Sequence, residues 1–189
     1  MRIEVRDLDK SYHGKVVLRD VNLIFEEGKI YCLMGASGRG KTTFLRILSG
    51  LETPDGGAVI KGDGAMSGVF QEDRLCESVD AVGNVAMICR RKDAAAYARD
   101  MLLRVLPEDS LKKPVSALSG GMRRRVAVIR ALAAESEFVF MDEPFTGLDE
   151  DTRRRVISCI LEFLRGRTLL VVTHQREDAQ LLGGGIVFL

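Results

Sequence analysis

The chain has 189 residues, 46% hydrophobic and 29% charged, an ordinary balance for a globular protein and enough for one domain with or without an insertion. A net charge of +1 excludes a strongly basic nucleic-acid binder, and four scattered cysteines without a CxxC pair exclude a disulfide framework or zinc site and point to a reducing cytosol. No apolar run approaches the roughly 20 residues of a membrane span, and Arg2-Ile3-Glu4 lacks a leader's apolar core, so a membrane role would need spans from another chain.

Ile3, Val5 and Leu8, then Val16-Val17-Leu18 with Val21, Leu23 and Phe25, read as antiparallel strands joined by a turn at Gly14. Ile30-Tyr31-Cys32-Leu33-Met34 is a short continuous apolar run, the pattern of a buried parallel strand. A glycine-rich loop follows, then a helix from Thr42 to Leu48, a turn at Pro54-Asp55-Gly56-Gly57, and short strands at Ala58-Val59-Ile60 and Gly68-Val69-Phe70. From about Glu72 to Leu118 the pattern is helical and irregular, with Val79, Val82, Val85 and Ala86 on one face and Met101, Leu102 and Val105 on another. A helix opening at Gly120-Gly121 buries Val126, Ile129 and Ala133. Phe138 to Asp142 is the second buried strand. Glu150 to Leu164 is an amphipathic helix with Val156, Ile157, Ile160, Leu161 and Leu164 inward. A third buried strand at Thr168 to Thr173, a short helix from Gln175 and a strand from Ile186 to Leu189 follow. Alternating buried strands and helices mean an α/β protein with a parallel sheet, here a single domain over residues 1–189 with a small helical insertion at about 72–130.

Two helix starts look built for anions. Gly35-Ala36-Ser37-Gly38-Arg39-Gly40-Lys41-Thr42 satisfies G-x-x-x-x-G-K-[ST], and Thr43 continues it. The glycines let successive N–H groups point inward around phosphate oxygens, and the helix adds its positive end. Lys41 then reaches the β- and γ-phosphates, and the Thr42 hydroxyl binds Mg²⁺. Downstream, Asp142 and Glu143 end a buried strand beside the expected ligand crevice, Asp142 as a Mg²⁺ holder and Glu143 as the base on an attacking water. The second helix start, Leu118-Ser119-Gly120-Gly121-Met122, carries no charge before Arg123. It reads as half of a site, which suggests an ATPase completed by a second copy of the chain. Arg123-Arg124-Arg125 reads as a solvated helix face.

These residues together resemble the ATP-binding cassette (ABC) family of transporter ATPases, over essentially the whole chain and in the family's motif order. Gly35 to Thr43 is similar to its Walker A, Phe138 to Glu143 to its Walker B, and Leu118 to Met122 to its signature sequence. Gln71 matches the Q-loop, Gly147-Leu148-Asp149 the D-loop and His174 the H-loop, while Tyr12 stands where the family stacks an aromatic on adenine. The resemblance implies the ABC ATPase fold, a P-loop NTPase parallel-sheet core with an antiparallel β subdomain and a small helical insertion. It implies ATP and Mg²⁺ as ligands, with Gln71 joining the Mg²⁺ set and His174 contacting the γ-phosphate beside Glu143. It also implies two cassettes closing head to tail on ATP, so that Ser119, Gly120 and Gly121 of one meet the γ-phosphate held by Lys41 of the other. Asp149 lies at that junction and also suits the N-cap of the following helix. Integral membrane permease subunits, and in importers a substrate-binding protein, are the implied partners, with the chain on the cytoplasmic face of the membrane and no nucleic acid bound.

Phe70-Gln71-Glu72-Asp73-Arg74-Leu75, with Ser78-Val79 and Asn84-Val85, resembles the importer branch serving nitrate, sulfonate and taurine. Three departures stand out: Arg124 where the family usually has glutamine, Gln175 where it has an acidic residue, and Cys76-Glu77 where this branch often has an aromatic and a proline. An exporter or lipoprotein-type cassette remains the alternative, as does a non-transport ABC ATPase. A plain P-loop kinase has no use for Ser119-Gly120-Gly121, Gln71 and His174 together.

Overall fold

The computed structural model describes Met1–Leu189. Eight strands form two sheets. Strands β1 (Ile3–Tyr12), β2 (Lys15–Phe25) and β4 (Gly56–Lys61) make an antiparallel sheet in the order β2-β1-β4. Strands β3 (Ile30–Met34), β5 (Met66–Val69), β6 (Phe138–Asp142), β7 (Thr168–Val172) and β8 (Gly185–Phe188) make a parallel sheet in the order β5-β6-β7-β3-β8. The continuous apolar runs are the strands with covered faces, as in other parallel sheets.

Alternation along these strands divides the core in two. Leu33, Phe138, Phe140, Leu170 and Val172 face α1 (Lys41–Leu48) and the antiparallel sheet, where Phe25 and Phe44 are fully buried. Cys32, Val139, Met141, Leu169 and Val171 face the other way. There they meet α4 (Gly120–Ala133) and α5 (Glu150–Leu164). A fully buried Leu or Phe of this kind contributes about 1.5–3 kcal/mol. The central strands β3, β6 and β7 therefore have their carboxyl ends fixed by packing on both sides.

Between β5 and α4 lie only two short helices, α2 (Ala81–Ala86) and α3 (Ala94–Leu103), and two single 3-10 turns. Asp80 caps α2 by accepting from the Gly83 N–H at 2.7 Å, so Val79 lies outside the helix, and Val105 lies beyond α3. The buried Asn84 side chain organises this region. Its oxygen accepts from the Cys76 N–H at 2.8 Å, and its amide donates to the carbonyls of Cys76, Val79 and Asp80. Four hydrogen bonds satisfy the whole amide and hold a loop that has no regular structure of its own.

Several boundaries differ from the sequence pattern. Gly56 and Gly57 belong to β4 rather than to the turn before it, and α1 starts at Lys41, one residue early. In α5, Leu161 is 40% exposed, while Cys159 and Phe163 are the buried neighbours of Ile160. Leu161 lies at the edge of the apolar stripe, where the 3.6-residue period has carried it toward solvent.

Candidate functional site

The loop after β3 wraps tightly because of its glycines. Gly40 has a φ of 87°, and a Cβ there would lie 2.6 Å from Val17 Cγ1 and 2.9 Å from Leu18 Cδ2, so only glycine seats the loop against β2. Helix α1 then begins with no side-chain cap, leaving its first N–H groups turned to the loop's interior. Lys41 is 6% exposed, and its ammonium donates to the carbonyls of Gly35 at 2.8 Å and Ala36 at 3.0 Å. Two of three ammonium donors thus brace the loop and one is left for a ligand. Arg39 N–H closes the turn on Ala36 O at 3.3 Å, while the Arg39 side chain lies on the far side of the loop, beside Val16, Arg19 and Leu189.

Asp142, the last residue of β6, is 2% exposed and accepts from Thr42 Oγ1 at 2.6 Å. Burial raises its carboxyl pKa above the ordinary value. The nearby Glu143 charge adds to the rise, and the Thr42 hydrogen bond, Arg124 and Lys41 oppose it. Nowhere do three or more His, Cys, Asp or Glu side chains converge as a metal cage. One hydroxyl and one carboxylate fit Mg²⁺, which keeps several waters and shares the phosphates of its nucleotide, and they do not fit zinc.

Glu143 follows with a φ of 50°, a left-handed conformation unusual outside glycine. Its carboxylate lies 2.9 Å from His174 Nε2 and accepts from Thr146 Oγ1 at 3.2 Å. The His174 loop is set from behind: Thr173 Oγ1 donates to the buried Asp178 and accepts from the Gln175 N–H at 3.2 Å. Tyr12, at the rim, donates its hydroxyl to Glu52, and the Lys10 ammonium stands 5.3 Å from its ring centroid.

One open cleft of about 410 Å³ gathers Tyr12, Ser37, Gly38, Gly40, Lys41, Thr42, Thr43, Gln71, Glu143 and His174. These come from five separate stretches of chain. Val17 also lines the cleft, and nothing in the sequence singled it out as a wall. The turn at Leu118–Met122 is not part of it. Ser119 caps its own helix, its Oγ accepting from the Met122 N–H at 3.3 Å, and a Cβ added at Gly120 would meet nothing within 4 Å. Gly121 rests near Leu148, and Asp149 caps α5 by accepting from the Thr152 N–H at 2.9 Å.

The arginine run corrects the sequence reading of a solvated face. Arg124 is buried, and its guanidinium donates to the carbonyls of Phe70, Gln71 (3.4 Å), Asp142 and Glu143 (3.2 Å) and to Asp73 Oδ1 at 3.0 Å. Arg123 pairs with Glu77 at 2.8 Å, and Arg125 donates to the carbonyls of Gly121 and Val105. The carbonyls at two adjacent strand ends have no further ladder partners, and a guanidinium with five donors supplies them. The available signal was spacing: Arg124 stands one and two turns before the buried Val128 and Ala131.

Comparisons with known proteins agree with this geometry. The sequence pattern of a family described as ABC transporter matches residues 18–146. The taurine import ATP-binding protein TauB of Pseudomonas aeruginosa is 36% identical over 187 residues, covering 92% of this chain and 71% of that one. The aliphatic sulfonates import ATP-binding protein SsuB 1 of Nocardia farcinica is 37% identical over 190 residues, covering 99% and 77%. The L-cystine import ATP-binding protein TcyN of Bacillus subtilis is 33% identical, covering 99% and 82%. Among solved structures, a dimeric post-hydrolysis state of the ATP-binding cassette MJ0796 bound to ADP and Pi superposes with a TM-score of 0.85 at 28% identity, covering 99% of this chain and 94% of that one.

Proposed function

The chain belongs to the ABC transporter family and is an ATP-binding, ATP-hydrolysing subunit of that family, and from this we propose that it drives an importer for taurine or other aliphatic sulfonates. The names of its relatives support that substrate class over the wider anion group, nitrate included. No helix is long and apolar enough to cross a membrane. Integral permease subunits therefore supply the path, a substrate-binding protein delivers the cargo, and the chain sits at the cytoplasmic face as one cassette. The irregular region at about residues 72–130 is the part that docks to the permease.

The phosphate loop and Lys41 hold the β- and γ-phosphates, with Tyr12 stacked on the adenine. Thr42, Asp142 and Gln71 hold Mg²⁺, which neutralises phosphate charge when bound. Glu143 accepts a proton from water as that water's oxygen bonds to the γ-phosphorus. The bond from the γ-phosphorus to the β–γ bridging oxygen breaks, and ADP and phosphate leave. His174, hydrogen-bonded to Glu143, keeps the base aimed and touches the γ-phosphate. Ser119, Gly120 and Gly121 of a second copy, with Asp149 nearby, close the site from the other side.

The observation that carries this reading is the Glu143–His174 pair facing Lys41 and Thr42 across one cleft. The experiment is a search of the neighbouring reading frames for a multi-span membrane protein, co-purification with it, then ATPase assays in proteoliposomes. Hydrolysis stimulated by taurine or an alkanesulfonate with its binding protein is expected. Absence of a membrane partner, or hydrolysis that ignores every sulfonate, overturns it.

A further inference from the structure

Arg124 takes no part in the chemistry above, yet it is the most heavily bonded side chain near the site. We infer that Arg124 is a positioning residue for the general base: it ties the peptides on both sides of Glu143 to the segment carrying Gln71 and to the helix that opens with Ser119. The inference rests on the ABC ATPase reading and extends it to a residue outside the phosphate and magnesium sites.

Strands β5 and β6 lie side by side, and beyond Val69 and Asp142 their chains diverge. One guanidinium fills that fork. It holds the carbonyls of Phe70 and Gln71 on one side and those of Asp142 and Glu143 on the other, with Asp73 as its charge partner. Glu143 has a φ of 50°, so its side-chain direction depends on a backbone conformation that the surroundings must impose. Arg124 grips the carbonyl just before that residue and the carbonyl of that residue itself. A glutamine there would have one amide with two N–H donors and a shorter reach. It cannot hold both strand ends and an acid at once.

The same helix makes further bonds to the segment after Gln71. Arg130 donates to the carbonyls of Asp73 and Arg74, both at 2.9 Å, and Arg123 pairs with Glu77. These bonds join the segment after Gln71 to α4, and Arg124 joins both of them to the peptides at Glu143.

The test measures ATPase kinetics of the full chain carrying Arg124→Gln, Arg124→Lys, Glu143→Gln and the Arg124→Gln/Glu143→Gln pair. Arg124→Gln is expected to lower kcat about tenfold or more, as small misplacements of a base do, with KM for ATP within twofold of wild type. Arg124→Lys keeps the charge opposite Asp73 but loses the planar fork, so it falls in between. In the double variant the Arg124 change adds no further loss, because the base it positions is gone. Wild-type kcat in Arg124→Gln, losses that multiply in the double variant, or lost ATP binding by the isolated chain each overturn the inference. If Arg124→Gln does not fold, Arg124→Lys decides: a lowered kcat at unchanged KM supports positioning, and an unchanged kcat overturns it. Should Glu143→Gln itself hydrolyse at the wild-type rate, the base assignment has failed. If Glu143→Gln is inactive and Arg124→Gln is not impaired, only the present inference has failed.

Discussion

The starts of α1 and α4 are both glycine-rich helix N-termini with the same partial positive charge, and they are finished differently. At α1 the helix has no side-chain cap, a buried lysine braces the loop, and an acid–hydroxyl pair lies at its floor. At α4 the serine caps the helix itself, Gly120 faces open space, and the nearby Arg125 guanidinium is engaged by the Gly121 carbonyl. The dipole alone is worth about 0.3–1 kcal/mol at an exposed helix end. What makes the first terminus a nucleotide site is therefore the ring of side chains around it. What the second offers is an open helix start with one serine O–H left to donate, which suits the proposed role against phosphate held by another chain.

The comparison is sharpened most by removing the chemistry from the first terminus while keeping its binding. Glu143→Gln is expected to lower kcat by about 10²–10⁴ while ATP binding persists. Sedimentation with ATP and Mg²⁺ should then show a trapped dimer, and hydrolysis at the wild-type rate would refute the assignment of the base. Ser119→Arg attacks the second terminus. Loss of donors to a γ-phosphate should reduce hydrolysis by roughly 10²-fold or more, with calorimetric ATP affinity of the lone chain unchanged. If that affinity collapses as well, the second terminus belongs to the chain's own site and the contrast is wrong.

Lys41→Ala tests whether the first terminus needs its charge. A charge-assisted hydrogen bond contributes about 1.5–3 kcal/mol, so calorimetry should find ATP affinity about 10- to 150-fold weaker. Unchanged affinity would mean that the backbone N–H groups suffice, and the two termini would then differ only in depth.

Much of this contrast was legible in the sequence because its parts are local. The phosphate loop has fixed spacing, β6 is a continuous apolar run ending in two acids, and α5 starts and stops where its pattern does. The parallel sheet followed from the alternation of such runs with helices. What escaped notice was long-range bonding to backbone carbonyls, which leaves no period. Arg124 meets Phe70 and Glu143 from 54 and 19 positions away, and Asn84 ties a loop whose residues share no pattern. Charge suggested solvent for the arginines, while unsatisfied carbonyls at the strand ends drew Arg124 inward. The irregular stretch from Glu72 to Leu118 is held by such bonds and by short helices, so hydrophobic spacing could locate it and could not resolve it.

The smallest expected effect concerns the acid beneath the first terminus. Burial holds the Asp142 pKa above its ordinary value, so the fold disfavours the ionised form. A group with a raised folded pKa contributes most favourably below its unfolded value, about 3.9. That contribution is lost as pH rises through the folded value. Asp142→Asn removes the cost and keeps an oxygen to accept from Thr42. The nucleotide-free variant should therefore melt higher than wild type at pH 7. The difference should shrink as pH falls toward the unfolded value and vanish about one unit below it, near pH 3, where the aspartate is protonated in both states, and Mg²⁺-dependent hydrolysis should be lost throughout. A lower melting point at pH 7 would mean that Lys41 and Arg124 stabilise the carboxylate more than burial penalises it. The second terminus has no counterpart to this trade, because no ionisable side chain from Leu118 to Met122 stands there to be relieved. A stability gain confined to Asp142 would identify the first terminus as the one built around a cation and its phosphates.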